Sequence, residues 1–203
     1  MFITFEGGEG SGKTSLIKEV SKWMIENGKE TLTTREPGGS FIAEQIRKVI
    51  LDNKNVDMSP KTEALLFAAS RIQHLEEIIL PALNDNKIVL CDRYIDSSLA
   101  YQGYARGLGL EAILKANNFV LGHMPNYTVY IDEDPKIGLN RAHSRGMTNR
   151  LDNETLAFHQ KVREGYLLIS QTYKERFIIV DGNCDMKTLV ERTITKLKDV
   201  LKW

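Results

Sequence analysis

The hydrophobic pattern changes period repeatedly along the chain. Five short runs are continuously apolar or rich in β-branched residues: Met1–Phe5, Glu30–Thr34, Lys87 to Asp92, Asn126–Asp132 and Phe177–Val180. Runs of this length and continuity are what strands covered on both faces require. Between them the apolar residues fall three and four apart. From Thr14 to about Asn27 they are Leu16, Ile17, Val20, Trp23 and Met24, and Gly28 supplies a C-cap. Phe41–Leu51 is a second helix. A third runs from Pro60 toward Leu80, opened by Ser59 with Glu63 near the capping-box position and closed by Pro81 and the Asn84-Asp85-Asn86 turn. Helices are also predicted from Asp96, over Leu110–Leu121, from Pro135, over Glu154–Tyr173 and over Met186–Leu201. Strands alternating with helices five times predict an α/β fold. It has one parallel five-stranded sheet, helices on both faces and right-handed crossovers, all in a single domain over residues 1–203.

Charge and cysteine content narrow the partners. Lysine plus arginine equals aspartate plus glutamate at 27 each, so no net field gathers a nucleic-acid polymer. Cys91 and Cys184 are far apart and lack metal-ligand spacing; Cys91 ends an apolar run and reads as a core thiol. No apolar stretch is long enough to span a membrane. Met1-Phe2-Ile3 enters the first strand without a basic or apolar leader pattern. A cytoplasmic protein is expected.

The chemistry begins at Gly7-Gly8-Glu9-Gly10-Ser11-Gly12-Lys13-Thr14, between the first strand and the first helix. This is the order that G-x-x-x-x-G-K-[ST] requires of a phosphate-binding loop. Its backbone N–H groups form an anion nest, and the following helix adds its positive end. Lys13 is placed to reach the β- and γ-phosphates of a triphosphate, and the Thr14 hydroxyl to ligate Mg²⁺. Arg35 and Glu36 then lie at the end of the second strand, the edge where parallel sheets bind ligands. Arg47 on the next helix is either solvated or turned into that cleft. Phe67 and Arg71 are four apart on one helix face, as a surface pair or as a ring and a guanidinium that together read a base. Asp92 and Arg93 end the third strand; the carboxylate can serve Mg²⁺ or cap the next helix, and Arg93 can neutralise phosphate. Ser98, Tyr101 and Gln102 share a helix face. Arg141, Arg145 and Arg150 fall within ten residues, as a solvated flap or as a clamp that closes on a phosphoryl group. His159 lacks a partner at metal spacing and reads as structural. A GTPase-type switch would need N-K-x-D and D-x-x-G motifs, and the sequence has neither.

Taken in order, Gly7–Thr14, Arg35-Glu36-Pro37-Gly38-Gly39, Phe67 with Arg71, and Asp92-Arg93-Tyr94 with Tyr101-Gln102-Gly103 resemble the bacterial thymidylate kinases. The resemblance spans nearly the whole chain. It implies transfer of the γ-phosphoryl group of ATP to dTMP with Mg²⁺, in a homodimer. It implies Phe67 stacked on thymine, Arg71 on its O4 edge, and Ser98 and Gln102 as further polar base contacts. Tyr101 would crowd the sugar C2′ and Glu9 would lie near the 3′-hydroxyl. Arg35, Arg47 and Arg93 would surround the acceptor phosphate, with Asp92 placing the metal. Glu36 is included in the acceptor region, about residues 35–71. The phosphate loop carries no arginine, so the resemblance sends the catalytic arginine to a lid over about residues 141–152. There Arg145 is the first choice and Arg150 the second, with Arg141 a further ATP contact. His143 stands where some relatives have another arginine. The nearest alternative is another P-loop small-molecule kinase, for example one acting on deoxynucleosides.

Overall fold

The computed structural model describes every residue of the chain except Arg145 and Met147. The strands are β1 (Phe2–Gly7), β2 (Thr31–Arg35), β3 (Ile88–Asp92), β4 (Tyr127–Asp132) and β5 (Phe177–Asp181). They form one sheet in the order β2-β3-β1-β4-β5, and every pairing is parallel. The chain therefore leaves the central β1 for the edge strand β2, returns to β3, and crosses to β4 on the other side. Such a reversal opens a crevice at the carboxyl ends of the strands. The register brings Arg35 level with Asp92, and Asp92 level with Phe5, just before the phosphate loop.

Alternation along β1 divides the two cores. Ile3 and Phe5 face α1 (Lys13–Glu26) and α9 (Met186–Leu201), packing with Leu16, Val20, Met24 and Leu197. Phe2 faces the opposite side, against Leu75, Ile79 and Tyr94. That side is not purely apolar. Thr4 bonds Thr128 at 3.0 Å, and Glu6 is fully buried. The Glu6 carboxylate accepts from the Tyr94 backbone N–H at 2.8 Å, and from the hydroxyls of Ser97 and Tyr166. Burial beside Asp96 pushes it up to about 7. α8 (Leu156–Thr172) covers this face through Tyr166, Val162 and Ile169.

The helices depart from the predicted boundaries where backbone chemistry intervenes. α2 (Phe41–Leu51) and α9 match their predicted limits. The third helical segment runs past Leu80 and ends at the predicted Asn84 turn, but not as one regular helix. α3 (Pro60–His74) widens into a π-helical turn over Leu75–Ile79 and continues as α4 (Leu80–Asn84). A proline inside an α-helix clashes with the carbonyl four residues before it and lacks the N–H to bond it. A wider turn just upstream accommodates both. Ser59 caps α3 by accepting from the Thr62 N–H, whereas Glu63, predicted near the capping box, turns inward and is 1% exposed. After β3, α5 (Ile95–Ser98) is followed by a second π-helical stretch, Leu99–Ala105. α6 (Leu110–Ala116) is shorter than predicted and gives way to a 3₁₀ turn over Asn118–His123. α7 (Pro135–Ser144) starts at its predicted proline, and α8 starts at Leu156, capped by Thr155, rather than at Glu154.

Candidate active site

The crevice at the strand ends holds a cavity of about 580 Å³. Its phosphate end is built from the β1–α1 loop. Gly10 and Gly12 adopt left-handed backbone, φ 71° and 85°, which lets the loop curl back on itself. Any side chain at Gly10 would collide with the Gly138 carbonyl, and one at Gly138 with the Glu9 carbonyl. This reciprocal glycine contact seats α7 directly on the loop. Lys13 is folded onto the loop, donating to the carbonyls of Gly7 (3.2 Å) and Gly8 (2.7 Å) and to Ser11 Oγ (3.2 Å). Burial and the nearby Arg93 charge lower the ammonium to about 8, against the opposing pull of Asp92 and Glu9. The Thr14 hydroxyl donates to Asp92 Oδ2 at 2.8 Å.

Arg93 is the centre of the pocket floor. It holds a left-handed conformation at φ 71°, unusual for a residue with a side chain. It donates to the Gly7 carbonyl at 2.9 Å and to Glu9 Oε1 at 2.8 Å. Tyr101 donates to the same Glu9 oxygen at 2.9 Å. Burial alone would raise the Glu9 carboxyl, but the Arg93 and Lys13 charges outweigh it and hold the group at about 2. Arg35 and Arg47 both line the cavity and both donate to the Pro37 carbonyl, at 2.9 and 2.7 Å. The Glu36–Pro37 peptide bond is cis. Burial and the adjacent Arg35 lower Arg47. Four cationic side chains, Lys13, Arg35, Arg47 and Arg93, thus line one end of a single cavity.

The opposite end is built from helices. Phe67 and Gln102 line it, and Phe67 also packs with Ile50 and Leu151. The surface-pair alternative for Phe67 and Arg71 is excluded, because their exposures are 7% and 1%. Arg71 donates to Glu36 Oε2 (2.8 Å), Asn117 Oδ1 (2.5 Å), the Tyr94 carbonyl (3.2 Å) and Ser98 Oγ (3.0 Å). Four of its five N–H groups are therefore used, leaving one on Nη1. Glu36, Arg71 and Ser98 form a buried cluster behind the cavity wall, of which only Glu36 reaches the surface of the cavity.

The lid differs most from expectation. Arg150, expected as a mobile cation, is 7% exposed and faces away from the cavity. It donates to the Ile50 carbonyl at 2.9 Å and to Glu63 Oε2 at 2.6 Å. A buried carboxylate captures the guanidinium, so the flap reading fails for this residue. Arg141 is half-exposed and paired with Glu133. Arg145 lies outside the described residues. The lid instead presents Ala142, Asn149, Leu151 and Asp152 to the cavity, none of which stood out in the sequence. Burial and the Glu9 charge raise Asp152. Tyr166, which accepts from Arg93, and Glu6, which accepts from Tyr166, were also missed; a lone carboxylate ending an apolar strand was the available signal. His159 is buried with both ring nitrogens unpartnered among the described residues, and its ring lies edge-on to Phe158.

A family model described as thymidylate kinase matches residues 5–194. A thymidylate kinase from Acholeplasma laidlawii (strain PG-8A) is 56% identical over 185 residues, covering 90% of this chain and 91% of that one. One from Bacillus pumilus (strain SAFR-032) is 52% identical over 205 residues, covering 100% and 97%. Among solved structures, thymidylate kinase from Ehrlichia chaffeensis superposes with a TM-score of 0.78 at 32% identity, over 100% of this chain and 98% of that chain.

Proposed function

The chain belongs to the thymidylate kinase family and phosphorylates dTMP with ATP as donor, and on that premise we propose how its residues divide the work. ATP lies with its β- and γ-phosphates on the Gly7–Thr14 loop, where Lys13 leaves its carbonyl partners for phosphate oxygens. dTMP lies along the rest of the cavity, thymine against Phe67 and Gln102, and phosphate among Arg35, Arg47 and Arg93. The observation that carries this reading is the cavity itself, cationic at one end and bounded by a buried ring and amide at the other. Tyr101, fixed on Glu9, sits between the two ends and closes the space beside the sugar. Arg71, itself held by Ser98, stands behind this wall and braces Glu36, so in this reading it supports the base end from behind rather than touching the O4 edge.

An acceptor phosphate oxygen attacks the γ-phosphorus while the bond to the β,γ-bridging oxygen breaks, leaving ADP and dTDP. The acceptor is already anionic, so no general base is required. The rate depends on positioning and charge neutralisation, for which Lys13 and Arg93 are placed and to which the lid must add. Arg145 is the proposed lid contributor, with Arg141 as a further ATP contact; Arg150 holds the lid's base instead. The Thr14 hydroxyl and Asp92 carboxylate, in mutual contact at the cavity wall, are hard oxygen donors suited to Mg²⁺. When bound, Mg²⁺ would neutralise charge on the donor phosphates.

Incubation of the chain with ATP, Mg²⁺ and each nucleoside monophosphate tests the assignment. Preference for dTMP is expected; preference for a purine monophosphate, or for an unphosphorylated deoxynucleoside, would overturn it. We further propose a homodimer, supported by exposed Phe41, Leu65 and Phe119, and checked by light scattering. Both cysteines are free and no described helix is long and apolar enough to cross a membrane, which supports a cytoplasmic site of action.

A further inference from the structure

Glu63 takes no part in the chemistry above, yet it is among the most completely enclosed carboxylates of the described residues, at 1% exposure. It begins a stripe on α3, four residues before Phe67 and eight before Arg71, so it lies behind the same cavity wall. Its Oε1 accepts from Gln102 Nε2 at 2.9 Å and from Arg106 Nε at 3.2 Å. Its Oε2 accepts from Arg106 Nη2 at 3.2 Å and from Arg150 Nη2 at 2.6 Å. Arg106 is shared with Glu154, so a buried and a partly buried arginine face two carboxylates. Burial alone would raise Glu63, but the hydrogen bonds from Gln102, Arg106 and Arg150 prevail and its carboxyl is lowered.

An ionised carboxylate only accepts hydrogen bonds. Gln102 must therefore turn its NH₂ toward Glu63, which leaves its carbonyl oxygen on the other side. Gln102 lines the cavity, and its Oε1 has no protein partner among the described residues. We propose that Glu63 is a positioning residue for base selection: by fixing the Gln102 amide it presents an acceptor, never a donor, to the ring edge of the base. A pyrimidine whose N3 carries hydrogen is then matched. Cytosine, whose N3 is a lone pair, meets a second lone pair. This rests on the assignment of Gln102 as a base contact. Two arginines that neutralise Glu63 keep the selector in its ionised, acceptor-only state.

The test compares kcat/KM for dTMP and dCMP in four chains: wild type, Glu63→Gln, Gln102→Ala and the double variant. In Glu63→Gln the partner amide can offer either end, so Gln102 is free to flip. The dTMP-to-dCMP ratio is expected to fall about tenfold or more. Because Glu63 acts through Gln102, the double variant should show the ratio of Gln102→Ala alone. A structural role would instead leave the ratio at its wild-type value, or add its effect to that of Gln102→Ala, and either result overturns the proposal. A wild-type ratio in Gln102→Ala would show that the base-contact assignment itself is wrong. Should Glu63→Gln not fold, Glu63→Asp keeps the negative charge in the cluster but draws the carboxylate back from Gln102 as well as from the arginines. The same fall in ratio is expected there, and a wild-type ratio counts against the proposal.

Discussion

The two ends of the cavity are built on opposite principles. At the phosphate end Arg93 is paired with Glu9 and Arg35 with Glu44, but the other two cations have no carboxylate bonded to them among the described residues. Lys13 rests on two carbonyls, and Arg47 on one. At the base end every charge already has its complement. Arg71 is surrounded by four acceptors, and Glu63 by four donors. The first end is completed by its ligand, while the second is finished before the ligand arrives. An anion that enters the phosphate end relieves repulsion among like charges, whereas a base is judged against groups that cannot rearrange. Substitutions should therefore cost activity without stability at one end, and stability together with selectivity at the other.

Lys13→Ala is expected to give the largest loss. It removes the cation nearest the transferring phosphoryl group, and turnover should fall by about 10³-fold or more. Thermal stability should hold or rise, since a buried ammonium beside Arg93 is relieved. Wild-type turnover would remove the loop from the mechanism. Arg145→Ala should follow, lowering kcat far more than it weakens dTMP binding; a near-normal kcat would move the lid's role to Arg141.

Arg71→Met tests the other end. It leaves the Glu36 carboxylate enclosed with only His74 beside it, at 3.1 Å. Breaking a buried pair in this way costs about 3–5 kcal/mol, read as a drop in melting temperature. Arg47→Met is the control: it removes an arginine of the same cavity wall, but one bonded to a single carbonyl. Its melting temperature should stay near wild type while KM for dTMP rises. Equal destabilisation by both changes would erase the contrast between the two ends.

The same contrast governs what could be read from the sequence. The phosphate end is written in backbone geometry and strand ends, which local patterns report. Gly7–Thr14 follows a strand and opens a helix, and Asp92-Arg93 terminates an apolar run, so their position at the sheet edge followed from periodicity. The base end depends on which polar groups meet across long separations. Glu63 meets Gln102 and Arg150, and Arg71 meets Asn117, and no spacing rule connects those positions. Glu63 read as a helix-start residue because local pattern has no term for an inward-turned carboxylate. Arg150 read as a flap cation for the same reason, since its buried partner lies far away in sequence, on α3. Helix regularity departed from expectation upstream of Pro81, and a helix limit at Asn117, whose amide donates to the Ile113 carbonyl.

Phe67→Ala should have a smaller effect than these, and one confined to one substrate. Losing the ring surface against thymine costs about 2 kcal/mol, roughly 30-fold in KM for dTMP. KM for ATP should barely move. Because Phe67 also packs on Ile50 and Leu151, some stability is lost as well. The split between the two KM values is therefore the diagnostic, and equal rises would make Phe67 a core residue only.

The mildest perturbation is pH, and it acts on the phosphate end alone. Lys13 is lowered to about 8 in the free protein, whereas an unfolded lysine titrates near 10.5. The folded chain therefore binds fewer protons than the unfolded chain between these values, and its stability gains from this residue as pH rises through that window. Phosphate capture runs the other way, because the neutral amine attracts no anion. Above pH 8 the affinity of the free protein for ATP should decline, by at most about 1.4 kcal/mol per pH unit. Glu9, held at about 2, stays ionised throughout and contributes no slope. Lys13→Arg keeps its charge across the range, so its ATP affinity should be flat where the wild type declines. Titration calorimetry from pH 7 to 9.5 reads the binding arm and denaturant melts read the other. If affinity and the Lys13-dependent part of stability moved in the same direction, the lysine would not be the strained, ligand-awaiting cation that separates this end of the cavity from the other.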